Sequence, residues 1–104
     1  MRLKAGVKLT DLAPQMVLAA MIVRDAFAPT ECVITSANDS THSTLSLHYK
    51  GMALDFRTHD YPGNKQALLT KIKTNLGQDF DVVLEALGEP NEHLHLELDP
   101  KGIK

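Results

Sequence analysis

His93-Leu94-His95-Leu96-Glu97-Leu98 alternates polar and apolar side chains without a break. Successive residues of a strand point to opposite faces. Leu94, Leu96 and Leu98 therefore share one face, and His93, His95 and Glu97 share the other. Such a segment predicts a half-buried strand, with a leucine face that needs a cover and a histidine face left open. Residues 52-57 repeat the pattern: Met52, Leu54 and Phe56 on one side, Ala53, Asp55 and Arg57 on the other. Residues 79-86 place Phe80, Val82, Leu84 and Ala86 on one face, and 31-35 form a short apolar run of β type.

The cover is expected from two helices. Residues 10-28 carry Leu12, Met16, Ala20, Val23 and Phe27 at helical spacing; Thr10 or Asp11 can cap the start, Pro14 suits the first turn and Pro29 ends it. Residues 62-76 carry Leu68, Leu69, Ile72 and Leu76, with Pro62 near the start and Gly77 just past the end. Ser36 to Ser46 is polar and reads as a loop, and Gly88 to Asn91 as a turn. The expectation is one α+β domain over residues 1-104, a small antiparallel sheet of about four strands with two helices packed on one face. If the strands carrying Asp55 and His95 are neighbours, Asp55, His93, His95 and Glu97 collect on the opposite, open face.

Composition narrows the chemistry. The chain has 104 residues, 43% hydrophobic and 23% charged, and no Trp, so Leu, Val, Ile and Met must build the core. The formal charge is −2 and no basic stripe stands out, which removes the electrostatic basis for nucleic-acid binding. Cys32 is the only cysteine, which excludes a disulfide framework and a Cys-rich zinc site; it reads as a small buried strand residue. Any metal must be held by histidine and carboxylate. The apolar run Met16 to Val23 is too short to span a bilayer.

There are five histidines, His42, His48, His59, His93 and His95, with Asp55, Glu89, Glu92 and Glu97 near them in sequence or in inferred space. Catalytic zinc takes three such ligands and leaves a position for water, with a carboxylate nearby to accept a proton. His48 ends the polar loop, Asp55 follows seven residues later, and Gly51 between them permits a sharp turn. Glu92 precedes His95 by three residues, which in a regular strand puts it on the opposite face. It reaches the histidine face only if Pro90-Asn91-Glu92 is irregular.

Ser46-Leu47-His48-Tyr49-Lys50-Gly51-Met52-Ala53-Leu54-Asp55 fits S-x-H-x-x-G-x-A-x-D, and Glu92-His93-Leu94-His95 fits E-x-x-H. In this order the two motifs resemble the M15 zinc peptidases: the D-Ala-D-Ala dipeptidases and carboxypeptidases and the L-alanyl-D-glutamate endopeptidases of phage endolysins. Their fold is shared with the hedgehog signalling domain. The resemblance covers about residues 31 to 98. It implies one zinc ion held by His48, Asp55 and His95, with Glu92 as the base that deprotonates the zinc-bound water and Ser46 orienting the loop or a ligand. The implied substrate is a peptidoglycan stem peptide, cut at the L-Ala-D-Glu or D-Ala-D-Ala bond. The chain departs from many relatives at Thr35-Ser36-Ala37-Asn38-Asp39, where an acid stands in place of an arginine that stabilises developing charge or holds substrate. Losing such a group typically costs about 10²–10³ in rate. Arg24, Arg57, Lys50 and His42 are candidates to replace it, and Arg57 shares the strand parity of Asp55.

Around this set, His93 shares the face of His95 and is a further ligand candidate. Glu97 is a solvated strand residue or a partner for a ligand histidine, and His59 beside Asp60 belongs to a turn. Glu85 and Glu89 read as surface charges, and His42 as a loop residue or a substrate contact. The alternative function is a zinc-binding recognition module of the same fold without turnover, favoured by Asp39; a metal-free structural domain is a third. Expected partners are the peptidoglycan peptide alone, with no nucleic acid and no membrane span, and a monomer is expected. Without a clear signal peptide, the expectation is cytoplasmic synthesis and action on the cell wall after release, or carriage on a virion.

Overall fold

The computed structural model describes residues 1-9, 12-37 and 52-99. The elements in chain order are β1 (Arg2–Leu3), α1 (Pro14–Phe27), β2 (Val33–Ser36), β3 (Ala53–Arg57), α2 (Lys65–Leu76), β4 (Phe80–Glu85) and β5 (His93–Leu98). The alternating segment at 93-98 is thus a strand, and it lies between two others. The sheet order is β1-β2-β3-β5-β4. β5 runs antiparallel to both neighbours, with Leu94 opposite Phe56 and Leu84, and Leu96 opposite Leu54 and Val82.

That register stacks one apolar face across three strands. Leu54, Phe56, Leu94 and Leu96 are all fully buried there. Both helices supply the cover: Met16, Ala20, Val23 and Phe27 of α1 and Leu68 and Ile72 of α2 join the same core. Phe27 also meets Tyr61 edge to face, centroids 5.4 Å apart. Cys32 is buried in this core, and burial pushes its thiol up to about 12, which makes it unreactive packing. No described helix is long and apolar enough to cross a membrane.

The sheet has five strands rather than about four, and it is not wholly antiparallel. β1 pairs in parallel with β2, through Arg2 N–H to the Cys32 carbonyl (2.8 Å) and Lys4 N–H to that of Ile34 (2.9 Å). A two-residue strand carries no periodicity, so nothing in the sequence marks it. The helix starts also move inward. α1 opens at Pro14, whose fixed φ suits the first helical position, and Ala13 before it makes no side-chain cap. The candidate caps Thr10 and Asp11 lie outside the described residues. α2 opens at Lys65 because the Asn64 side chain accepts a hydrogen bond from Ala67 N–H at 2.9 Å. Gly77 ends it at φ +87°, donating to the Lys73 carbonyl, a conformation that L side chains resist.

The two faces of the sheet predict opposite costs. Leu96→Ala should lower the unfolding free energy by about 2–5 kcal/mol. Val83→Ala, at the half-exposed position opposite His95 on the other face, should change it by less than about 0.5 kcal/mol. Urea unfolding of the two variants checks this.

Candidate functional site

The register that buries the leucines puts the chemistry on the other side. Asp55 lies directly opposite His95, Arg57 opposite His93 and Ala53 opposite Glu97. On the far side β4 brings Glu85 opposite His93 and Asp81 opposite Glu97. The expected gathering of Asp55, His93, His95 and Glu97 on the open face is what the structure shows.

His95 is gripped at both ends. Its Nδ1 lies 2.7 Å from Asp55 Oδ1 and its Nε2 lies 2.8 Å from Glu97 Oε1. The Asp55 hydrogen bond, opposed by partial burial and aided by Glu97, holds the imidazolium up to about 9. His93 is also held twice, with Nδ1 2.8 Å from the Asn91 carbonyl and Nε2 3.0 Å from Glu85 Oε1. Its Nε2 stands 4.0 Å from Asp55 Oδ2, so both histidines face the same aspartate. Glu85, expected as a surface charge, is thereby part of this cluster.

Beside it opens a cleft of about 400 Å³ lined by Lys4, Thr35, Asp55, Arg57 and His93 and, at its edge, by Glu92, whose side chain is itself buried. The Thr35 hydroxyl donates to the Asp55 carbonyl at 3.4 Å. Arg57 is partly buried, and its guanidinium makes no hydrogen bond or ion pair among the described residues. Arg24, another candidate for the absent arginine, is instead on α1 and pairs with Asp25 at 3.2 Å. His59 pairs with Asp60 at 3.1 Å in the turn after β3, as expected of a turn histidine.

Glu92 is placed differently from the sequence reading. It is 2% exposed and lies on the helix side of the sheet, not with the histidines. Thr58 Oγ1 donates to its Oε2 at 2.6 Å, Gly88 N–H donates to Oε1 at 3.0 Å, and Lys65 Nζ lies 2.9 Å from Oε1 and 2.7 Å from Oε2. Burial opposes its ionisation, but the bonds from Lys65, Thr58 and Gly88 outweigh that and hold the carboxyl down at about 2. A carboxylate so engaged is a poor proton acceptor. The reason is parity: the β3–β5 register carries on for one more position, with Thr58 N–H donating to the Glu92 carbonyl at 3.5 Å, so Glu92 keeps the side of Leu94 and Leu96. Thr58 and Lys65 were not singled out from the sequence. Two polar residues at core-parity positions, Thr58 and Glu92, were the available signal, because a buried polar group demands a partner.

His42, Ser46, His48, Lys50 and Asp39 lie outside the described residues. Among those described, no group of three or more His, Cys, Asp or Glu side chains is arranged to hold a metal ion. The donors present nonetheless suit zinc in kind: an imidazole and a carboxylate face each other at 2.7 Å on an open face, and one further imidazole stands alongside.

Glu92→Ala should destabilise the fold by roughly 1–3 kcal/mol, because the Thr58 hydroxyl and Lys65 lose a buried acceptor. The lowered carboxyl of Glu92 also sets a pH window. Its contribution is full above the ordinary value of 4.5 and is lost as pH falls from there toward about 2. Urea unfolding across that range should show a steeper fall in stability for wild type than for Glu92→Gln.

The Hedgehog amino-terminal signalling domain matches residues 10–95. The matched stretch runs from the approach to α1 through His95, so it includes Asp55, His93 and His95 together with the elements that position them. That domain has a fold related to the zinc peptidases, and to that extent the motif resemblance holds, although the match is to the signalling branch and not to the M15 peptidases. The chain belongs to the Hedgehog amino-terminal signalling domain family.

Proposed function

We propose that this protein is a zinc-dependent peptidase acting on peptidoglycan stem peptides. The observation that carries the reading is Asp55 and His95 meeting across β3 and β5 on an open face beside a cleft. His48, Asp55 and His95 would hold the ion. When bound, zinc would polarise the scissile carbonyl and make water a competent nucleophile near neutral pH.

The chain's own residues would do the rest. With Glu92 committed to Lys65 and Thr58, His93, the unassigned histidine on the same face, would accept the proton through Nε2 after that nitrogen gives up its contact with Glu85. The Asn91 carbonyl orients its ring, and Asp55 Oδ2 stands 4.0 Å from that nitrogen. Arg57 takes the charge-binding role of the arginine replaced by Asp39. It stands two residues beyond Asp55 on the same face of β3, roughly 7 Å along the strand. An anion bound there sits about a residue beyond a carbonyl at Asp55 and His95. That spacing favours a substrate ending close to the cut, hence the D-Ala-D-Ala bond over L-Ala-D-Glu. Such an activity suits a phage or prophage lysin that reaches the cell wall after release or on a virion.

A second reading is a zinc-holding recognition module without turnover. Three observations favour it: the locked Glu92, the acid at Asp39, and the match to a signalling domain.

Metal analysis of protein purified without chelators should find one zinc per chain. Hydrolysis of D-Ala-D-Ala-terminated peptides should fall about 10²–10⁴-fold in His93→Gln while zinc stays bound. Arg57→Met should raise KM for peptides with a free C-terminal carboxylate. Zinc-loaded wild type with no hydrolysis of peptidoglycan or its stem peptides would establish the recognition module instead, and the absence of zinc would remove both readings.

A further inference from the structure

Glu97 has no part in the reaction just described, yet it contacts the histidine that matters most. It follows His95 by two residues on β5 and shares its face, with Ala53 opposite on β3. Its Oε1 is 2.8 Å from His95 Nε2, while the Nδ1 of the same ring is 2.7 Å from Asp55 Oδ1. Both carboxylates are largely shielded from solvent, Asp55 the more so, with side-chain exposures of 16% and 28%.

A neutral imidazole has one N–H and one lone pair, so it can donate to only one of two carboxylates. A metal ligand must turn its lone pair to the ion, and its other nitrogen then carries the proton to an outer partner. Asp55 is the carboxylate that shares the proposed ion with His95. The lone pair therefore belongs on Nδ1, toward Asp55, and the proton on Nε2, toward Glu97. We propose that Glu97 is a positioning residue that accepts the Nε2–H of His95, fixes the ring tautomer and directs Nδ1 at the ion. This rests on the zinc reading above and adds two specifics: which nitrogen binds, and which side chain enforces it. The side chains supply it cheaply, because two positions on one strand face are neighbours whatever the conformation of the loops around them.

The test uses the full chain. Zinc affinity, measured by competition with a chromophoric chelator, is compared for wild type, Glu97→Ala and Glu97→Gln, with Glu89→Ala as the control on the exposed turn. Long-range ¹H–¹⁵N correlations of the zinc-loaded wild type report which His95 nitrogen is protonated. The expected result is a proton on Nε2, a loss of about 10–100-fold in affinity for Glu97→Ala, and recovery of most of it in Glu97→Gln, whose amide oxygen still accepts a hydrogen bond. A role confined to folding would not move the tautomer or be sensitive to the acceptor alone. The proposal is overturned if zinc-loaded His95 carries its proton on Nδ1, or if Glu97→Ala binds zinc as wild type does. In either case the zinc reading survives; it falls, and Glu97's role with it, only if wild type takes up no zinc. Should Glu97→Ala fail to fold, the tautomer of wild type still decides.

Discussion

The pairing of β3 with β5 is the constraint on which the site depends. Its register is set by packing: Leu54 opposite Leu96 and Phe56 opposite Leu94, all fully buried beneath the helices. Burying one such side chain contributes about 1.5–3 kcal/mol. A slip by one residue would turn every side chain of the strand to the other face. Asp55 would enter the core as an unpaired carboxylate, and Leu54 would meet water. Apolar residues that never touch a ligand therefore decide that Asp55 meets His95, and the polar residues of the site inherit their position from the core.

The same register builds two unlike electrostatic environments on its two sides. On the helix side, Glu92 has Lys65, Thr58 and Gly88, so its charge is matched and fixed. On the open side, Asp55, Glu85 and Glu97 converge on two imidazoles. His95 keeps its proton to about pH 9 there because two carboxylates face it. A metal ligand must be deprotonated, so a divalent ion entering at His95 would displace that proton and offset one more of the facing carboxylate charges.

Much of this was legible because strands have a period of two. Parity alone sorted Asp55, His93, His95 and Glu97 to one face, and the unbroken alternation of 93-98 and 52-57 left little room for another arrangement. Parity also held the answer for Glu92. Its three-residue offset from His95 pointed to the far face, and only the motif argued for an irregular turn; the strand register prevailed. Lys65 was not legible, since its approach to Glu92 depends on where α2 begins, and Asn64 rather than Pro62 sets that start. β1 was not legible because two residues have no pattern. Gly88 contributes a backbone N–H, which no side-chain code announces.

The separation of Glu92 from the open face bears on how one scaffold serves both catalysis and recognition. Holding an ion would need donors in register, and β3 and β5 bring Asp55 and His95 together through main-chain pairing whatever the proton chemistry nearby. Turnover needs a group that gains and loses a proton within reach of the substrate, and a carboxyl held at about 2 by hydrogen bonds from Lys65, Thr58 and Gly88 does neither near neutral pH. A fold of this kind could keep the Asp55–His95 pair and vary what stands beside it. In this chain the group beside it is His93, with Glu85 at one nitrogen and Asp55 within 4.0 Å. On the proposed reading, whether the protein cuts or only binds turns on that imidazole and its carboxylate rather than on the buried glutamate three residues before His95.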